Sequence, residues 1–556
     1  MATPTIRGGS DLWILELSTT PAEGEYVKIN VSVNAEPGLQ GKPDITLLNG
    51  RYNMPSNSGD MSAGTFNTGY TDTQDRPNGA VEIPAGSYFA NVSEESDEPA
   101  ETDLLREGYC TVTVGTDGKV SIEGVMIGTQ YFKRYFTYEG TPEVTDKSEG
   151  GDTGITMEYT YKQARSPKRG LSFNNLSKPD LELLSPGVCW IYNWGSSTSI
   201  ASMLGDYDMT YYPMVWGGNP NESTIASTQE RVPGCDMILA YNEPNLTDQA
   251  NMTPTRASEL WPNLVAVAEK LGMRLTSPAM NYGTLAGYSD PEVWLDEFYS
   301  KPGVSLDDVD ATAAHCYMPS GEALKSFIRK FYKYGKPVYM TEFCHAQGSI
   351  TNNVQSQMKF MCDALNYLEN DDMVGGYSWF KERGGNTWSA ISLLNINASN
   401  PELTDLGKVY VNFSTFDKTV YYAIGEAIPA EHYCNNSLAA SANTDTWETA
   451  PHIKPTTDVT GILELCDFYA VGNWVEYQID VANSGDYEML LRYANPIDGQ
   501  FTLDIDGAET PISLPKTGDE TTWRTASVPV HIAAGKHTVR LTLTKGRANF
   551  NWFCFR

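Results

Sequence analysis

Two short segments carry the carboxylates with most to offer chemically, Tyr241-Asn242-Glu243-Pro244 and Thr341-Glu342-Phe343. Each ends a short apolar run, so each glutamate stands where an extended strand gives way to a turn. A pair of glutamates so placed suits the splitting of an acetal. One carboxyl group gives a proton to the leaving oxygen, and the other attacks or stabilises the oxocarbenium-like carbon. His315 and Tyr317 point the same way along a third apolar run, Ala313-Ala314-His315-Cys316-Tyr317. A tyrosine hydroxyl there would orient Glu342 and favour its ionised form by hydrogen bonding. A histidine in such a run is also often a satisfied core group.

The elements that must position these residues are legible as alternating short apolar runs and helical periodicities from Lys168 onward, the pattern of repeated βα units. Eight strands are predicted: Gly170 to Phe173, Val188 to Trp194, Tyr211 to Trp216, Met237 to Glu243, Arg274 to Met280, Ala311 to Tyr317, Pro337 to Phe343 and Val374 to Phe380. Eight is the number a closed (β/α)8 barrel requires, and Glu243 and Glu342 then end the fourth and seventh strands, on the catalytic face of such a barrel. Between them, Leu260, Leu264, Val267 and Leu271 form a helical stripe behind Thr253-Pro254 and stopped by Gly272. Leu324, Phe327, Phe331 and Tyr334 form a second, and Val354, Met358, Met361, Leu365 and Leu368 a third. All three read as core.

On either side the language is all-β. Residues 1–163 alternate in runs such as Tyr26 to Val31 and Cys110 to Val114, with a long polar loop expected from Ser56 to Gly79 and a linking strand over 156–161. Residues 425–556 alternate again in Trp474 to Ile479, Tyr487 to Arg492 and Thr538 to Leu543. The expected architecture is therefore an N-terminal β-sandwich (1–163), a central (β/α)8 TIM barrel (168–417) and a C-terminal β-sandwich or jelly-roll module (425–556). The N-terminal sandwich would be a spacer or a second binding module.

Composition narrows the function. Lys plus Arg number 39 against 70 Asp plus Glu, a formal charge of −31 that repels phosphate backbones, so nucleic acid is not an expected partner. Charged residues make up only 20% of the chain and aromatics 11%, which places the acidity on a folded surface and not in a disordered tail. No run reaches the roughly 18 apolar residues of a membrane helix, and the start lacks the basic and apolar regions of a signal peptide. The expectation is a secreted or cell-surface protein whose signal segment is absent from this sequence. Nine scattered cysteines without a Cys-x-x-Cys pair form no metal or disulfide framework, and at most one or two disulfides are expected.

Val188-Cys189-Trp190-Ile191-Tyr192-Asn193-Trp194-Gly195, Tyr212-Pro213-Met214-Val215-Trp216-Gly217, Asn242-Glu243-Pro244-Asn245, His315-Cys316-Tyr317 and Thr341-Glu342-Phe343 resemble glycoside hydrolase family 128 over about residues 168–417. The resemblance implies endo-acting hydrolysis of β-1,3-glucan, of the laminarin or curdlan type, with retained configuration. Glu243 would be the acid/base, Glu342 the nucleophile, and Asn242 a partner of the sugar 2-hydroxyl. Sugar faces stack on aromatic rings. By analogy with related barrels Trp379 would floor the central sugar site, with Trp194 beside it, while His315, Tyr317 and, after the fifth strand, Tyr282 and Asn281 would be further contacts. Alternatives are the same mechanism on another β-glucan linkage, or a non-catalytic glycan-binding surface protein.

Ile428-Pro429-Ala430-Glu431-His432-Tyr433, Val471-Gly472-Asn473-Trp474-Val475-Glu476-Tyr477, Ala534-Gly535-Lys536-His537-Thr538 and Asn549-Phe550-Asn551-Trp552 resemble carbohydrate-binding module family 6. That resemblance implies a clamp on a sugar ring from Tyr469 or Phe468 with Trp523, Asn549 as its hydrogen-bonding partner, and a structural calcium held at Glu431 and Asn551. Asn551 stands where the family usually has aspartate, which removes a charged ligand. No cofactor is expected for catalysis, the expected partner is a β-glucan polysaccharide or oligosaccharide, and the expected state is a monomer.

Overall fold

The computed structural model describes the chain except residues 1, 4–5, 8–9, 19–24, 36–44, 56–62, 77–78, 94–98, 147–161, 347–352, 398, 438–450 and 469. Eight strands of the central region align in parallel: β1 (Arg169–Ser172), β2 (Trp190–Tyr192), β3 (Thr210–Tyr211), β4 (Met237–Ile238), β5 (Arg274–Met280), β6 (Ala311–Cys316), β7 (Val338–Phe343) and β8 (Val374–Phe380). Their order is β3-β2-β1-β8-β7-β6-β5-β4. A parallel bridge between Met214 and Leu239, just beyond β3 and β4, joins the two ends and closes the ring. The β1–β8 pairing sets Leu171 opposite Trp379. Strands buried on both faces must be apolar throughout, and every residue of β1, β2, β6 and β7 is buried.

The helices form where the apolar stripes lie. Helix α1 spans Lys178–Leu184 and α2 spans Glu222–Arg231. Helix α3 (Pro254–Leu271) opens with the Thr253 hydroxyl accepting from Arg256 N and closes at Gly272, whose φ of 62° is the left-handed turn that glycine makes without strain. Then follow α4 (Pro291–Tyr299), α5 (Gly321–Arg329), α6 (Val354–Asn370) and α7 (Asp405–Asn412). At the base of the barrel Gly170 on β1 leaves room for the Trp190 ring, since a Cβ there would lie 2.3 Å from it. Beside it the Arg169 guanidinium, fully buried, pairs with Glu369 at 2.7 Å and donates to the carbonyl oxygens of Tyr410 and Phe413.

The C-terminal region folds as two sheets, one containing Trp474–Val481, Gly499–Ile505 and Gly535–Lys545, the other Leu463–Phe468, Gly485–Ala494 and Ala548–Phe555. They face each other through Phe501 against Phe468 and Phe550 at 5.1 and 4.9 Å. Tyr422–Ala423 already pairs with Ile479 and Asp480, so this region takes up strands from before residue 425. It shares one continuous apolar core with the barrel. The seam is locked at Asn366 on α6, whose Nδ2 donates to Ile453 O at 2.9 Å and whose Oδ1 accepts from Ile453 N at 3.0 Å.

The N-terminal region has a separate core around Trp13, Leu15, Val31, Tyr52 and Ile122. Its described strands join in one eleven-stranded sheet plus a two-stranded hairpin, not in two facing hydrogen-bonded sheets. The polar stretch expected as a loop contains strands Thr65–Phe66 and Tyr70–Arg76, because strand pairing there is made by backbone groups and needs no apolar alternation. The linking strand expected over 156–161 lies outside the described residues.

Replacing Asn366 with Ala removes both bonds to a buried peptide group. It is expected to cost about 3 kcal/mol of stability while barrel and module still unfold in one transition, as followed by calorimetry.

Candidate active site

At the carboxyl ends of the strands the chain brings Glu243, His315 and Glu342 together. One oxygen of each glutamate and a ring nitrogen of the histidine all lie within 4.8 Å of one another, and all three side chains are buried. Glu243 leaves β4 in a tight turn with φ at 44°, its N–H donating to Ala279 O at 2.9 Å on β5. Trp194, beyond β2, is also left-handed at φ 62°. Such backbone costs about 1–3 kcal/mol in a non-glycine residue and persists where the surroundings fix it, as at functional sites.

Glu342 is held from three directions. Trp194 Nε1 donates to Oε1 at 2.6 Å, Tyr192 Oη lies 3.0 Å from the same oxygen, and the Tyr317 hydroxyl donates to Oε2. Burial first, and then the charge of Glu342, push both phenols far above their usual range, so they stay protonated and able to donate to it. Glu243 accepts Asn281 Nδ2 at 2.9 Å on Oε1. His315, fully buried, has Nδ1 3.0 Å from Glu243 Oε1 and 3.5 Å from Glu342 Oε2. Burial alone disfavours the imidazolium, but the two carboxylates outweigh it and raise the histidine pKa. Burial alone likewise favours protonated Glu243, yet His315 and Asn281 outweigh it and draw that pKa down. Asn242 donates Nδ2 to Gln249 Oε1 at 3.3 Å, and its buried Oδ1 has no hydrogen-bond partner.

Among the described residues this trio is the one cluster of three such groups close enough to hold a metal ion. Three protein donors already engage Glu342.

Trp379 is a correction. Its ring is 0% exposed, its Nε1 donates to Ile391 O at 2.8 Å, and it packs against Phe343 and Phe360 behind the strand. Successive residues of a strand face opposite ways, so the ring that reaches the cleft from β8 is the next one, Phe380. Phe380 is half-buried and packs edge-on to Trp194, Tyr317 and Trp388 at 5.9, 5.5 and 5.9 Å. Tyr282 is 48% exposed and rests against Phe327 on α5, apart from the carboxylates. Its neighbour Asn281 is the residue in contact. Tyr192 was the functional residue that sequence reasoning missed. Its signal was position, two residues before Trp194 and so on the same strand face.

In the C-terminal module, Tyr469 lies outside the described residues. Trp523 is another correction: 3% exposed, with Nε1 donating to Thr457 Oγ1 at 3.0 Å, it offers no open ring face. Asn549, 5% exposed, donates Nδ2 to Glu464 at 3.1 Å and is committed to the interior. Glu431 and Asn551, the residues expected at a calcium site, are both buried. Glu431 is a fully buried carboxyl with no hydrogen-bond partner beyond its own backbone, and burial pushes its pKa well up, toward the neutral acid. Asn551 gives its Nδ2 to Asp458 at 2.6 Å, whose charge Arg492 already neutralises at 2.8 Å.

Trp194→Phe should lower kcat by roughly 30-fold through loss of about 2 kcal/mol of charge-assisted hydrogen bonding, with folding unchanged. Trp379→Phe should lower the melting temperature and leave KM within about twofold, whereas Phe380→Ala should raise KM by more than about fivefold, as rate measurements and thermal melts would show. In the module, burial raises the Glu464 pKa to about 7, so the folded form keeps a proton that the unfolded chain releases above about 4.5. This contribution to stability is lost as pH rises through 7. Melting temperature should therefore fall more between pH 5 and 8 in the natural protein than in Glu464→Gln.

Residues 170–410 match the family described as "Glycosyl hydrolase catalytic core", and residues 441–556 match "Carbohydrate binding module (family 6)". Alkali-sensitive linkage protein 1 of Schizosaccharomyces pombe is 25% identical over 261 residues, 44% of this chain and 45% of that protein. Endo-1,4-beta-xylanase B of Cellvibrio japonicus is 36% identical over 80 residues, 14% of this chain and 13% of that protein. The chain thus spans less than half the length of the curated relatives it matches. Among solved structures, a GH128 (subgroup II) endo-beta-1,3-glucanase from Pseudomonas viridiflava is 34% identical, covering 45% of this chain and 98% of that one, with a TM-score of 0.41. The enzyme of the same subgroup from Sorangium cellulosum is 32% identical, covering 44% and 97%, with a TM-score of 0.39. The chain thus carries a glycosyl hydrolase catalytic core followed by a family 6 carbohydrate-binding module.

Proposed function

We propose that the chain hydrolyses β-1,3-glucan internally and with retention of configuration, Glu243 acting as acid/base and Glu342 as nucleophile. The observation that carries this reading is the spacing of the two carboxylates, within 4.8 Å at the ends of β4 and β7. An inverting pair stands roughly 6.5–9.5 Å apart to leave room for the attacking water, whereas a retaining pair stands about 5–5.5 Å apart, the value nearer to this spacing. The β-1,3 linkage is supported by what the two solved relatives are described as cleaving.

In the first half-reaction Glu342 attacks the anomeric carbon while Glu243 protonates the departing oxygen. The three donors on Glu342 fix its attacking oxygen and hand it over as the carbon–oxygen bond forms. Asn242 Oδ1 accepts from the sugar 2-hydroxyl, an interaction that strengthens as the ring flattens. The half-buried rings of Trp194, Phe380 and Trp388 line the sugar path. In the second half-reaction Glu243, now a carboxylate, takes a proton from water, which releases the sugar with its original configuration. None of these steps calls on a metal ion. The family 6 module, docked on α6 through Ile453, would hold the same polymer. A polymeric substrate of this size suits a secreted or surface-held enzyme, acting as a monomer.

The test is the product pattern on laminarin. A ladder of short oligosaccharides early in the reaction is expected, and Glu342→Gln should reduce the rate by roughly four orders of magnitude without loss of laminarin binding. Cleavage of mixed-linkage glucan alone would transfer the mechanism to another linkage. Binding without turnover of any β-glucan would contradict the hydrolase reading.

A further inference from the structure

A general acid must hold a proton at the pH where it works, and in the resting site Glu243 faces a competitor for it. His315 Nδ1 lies 3.0 Å from Glu243 Oε1 and 3.5 Å from Glu342 Oε2, and its ring is shut off from solvent. We propose that His315 stores the proton that Glu243 delivers: in the free enzyme it sits on the imidazole between the two glutamates, and it passes to Glu243 as the glycosidic bond breaks. The inference deepens the two-glutamate reading and rests on it.

Charge accounts for the arrangement. Two carboxylates within 4.8 Å in a buried cleft repel each other strongly. A proton on His315 puts a positive charge between them and attracts both. Carried instead as a carboxylic acid on Glu243, the same proton neutralises one charge and leaves the histidine without electrostatic purpose. The raised histidine and lowered Glu243 pKa agree with the first distribution. The charged groups that face the ring are Glu243 and Glu342, and the two phenols that donate to Glu342, Tyr192 and Tyr317, are neutral. Asn281 donates to the same Glu243 oxygen that faces the ring. Neither ring nitrogen has an aligned hydrogen bond in the unliganded site, and such contacts tighten when substrate binds.

The step balances. The Nδ1–H bond breaks and an O–H bond forms at Oε1 of Glu243, whose carboxyl group then turns to present that proton to the leaving oxygen. That proton moves to the glycosidic oxygen as its bond to the anomeric carbon breaks and Glu342 bonds to the carbon, leaving the imidazole neutral. In the second half, water gives a proton to Glu243, which returns it to Nδ1, while the water oxygen displaces Glu342. His315 acts through Glu243 and is a positioning residue.

His315→Asn keeps an amide donor near the Nδ1 position but cannot store a proton. On laminarin the variant should lose at least about 100-fold in kcat, the range of general acid catalysis, and the alkaline limb of kcat/KM should move down by about one pH unit or more. On an aryl β-1,3-glucobioside whose leaving group needs no proton, bond cleavage should stay within about threefold of the natural protein. Equal losses on both substrates, or an unmoved alkaline limb, would overturn the proposal. If the natural protein cleaves neither substrate, it is the two-glutamate reading that fails. Should His315→Asn fail to fold, ring NMR of His315 in the natural protein and in Glu243→Gln tests the proposal without that variant. The histidine should titrate above the usual 6.5 in the natural protein and lower in Glu243→Gln, and an unchanged titration would count against proton storage.

Discussion

Two buried carboxylates within 4.8 Å of each other repel, and the central domain is arranged to hold them there. Glu342 is surrounded by donors from Tyr192, Trp194 and Tyr317, while Glu243 faces Asn281 and His315. These groups come from β2, β5 and β6 or the turns just beyond them. A closed parallel ring is what brings the ends of strands so distant in sequence to one point. The left-handed turns at Glu243 and Trp194 are a local cost of aiming those side chains inward, offset by the stability of the ring beneath.

That ring does not stand alone. Its α6 face is covered by the C-terminal sheets, and Asn366 joins the two through both polar groups of the Ile453 peptide. The same helix holds His345, just past the nucleophile strand, through Gln357, and through Glu369 it anchors Arg169 at the base of β1. A module attached by a shared core cannot swing as a tethered one would. The C-terminal module and the catalytic cleft therefore keep a fixed relation.

Much of this could be read from the sequence because it depends on period and on residue type. The stripe from Leu260 to Leu271, closed by Gly272, became α3, and the eight apolar runs became the eight parallel strands. Glu243 and Glu342 were legible because strand ends are where a barrel keeps its chemistry. What failed depended on facing. Trp379 and Phe380 differ by one residue, and only strand pairing decides which ring enters the cleft. Trp523 and Asn549 were assigned from the company they keep in a motif, whereas Thr457 and Glu464, far off in sequence, claim them for the interior. Tyr192 was hidden for the opposite reason, since an apolar strand gives no sign that one hydroxyl among its side chains will meet a carboxylate 150 residues away.

The central claim is that the two glutamates work by double displacement. The measurement that meets it most directly is proton NMR of the reducing ends released in the first minutes of laminarin digestion, before mutarotation. The account predicts that the β-anomer appears first and the α-anomer only later by equilibration. An initial α-anomer would show a single displacement by water and would contradict it.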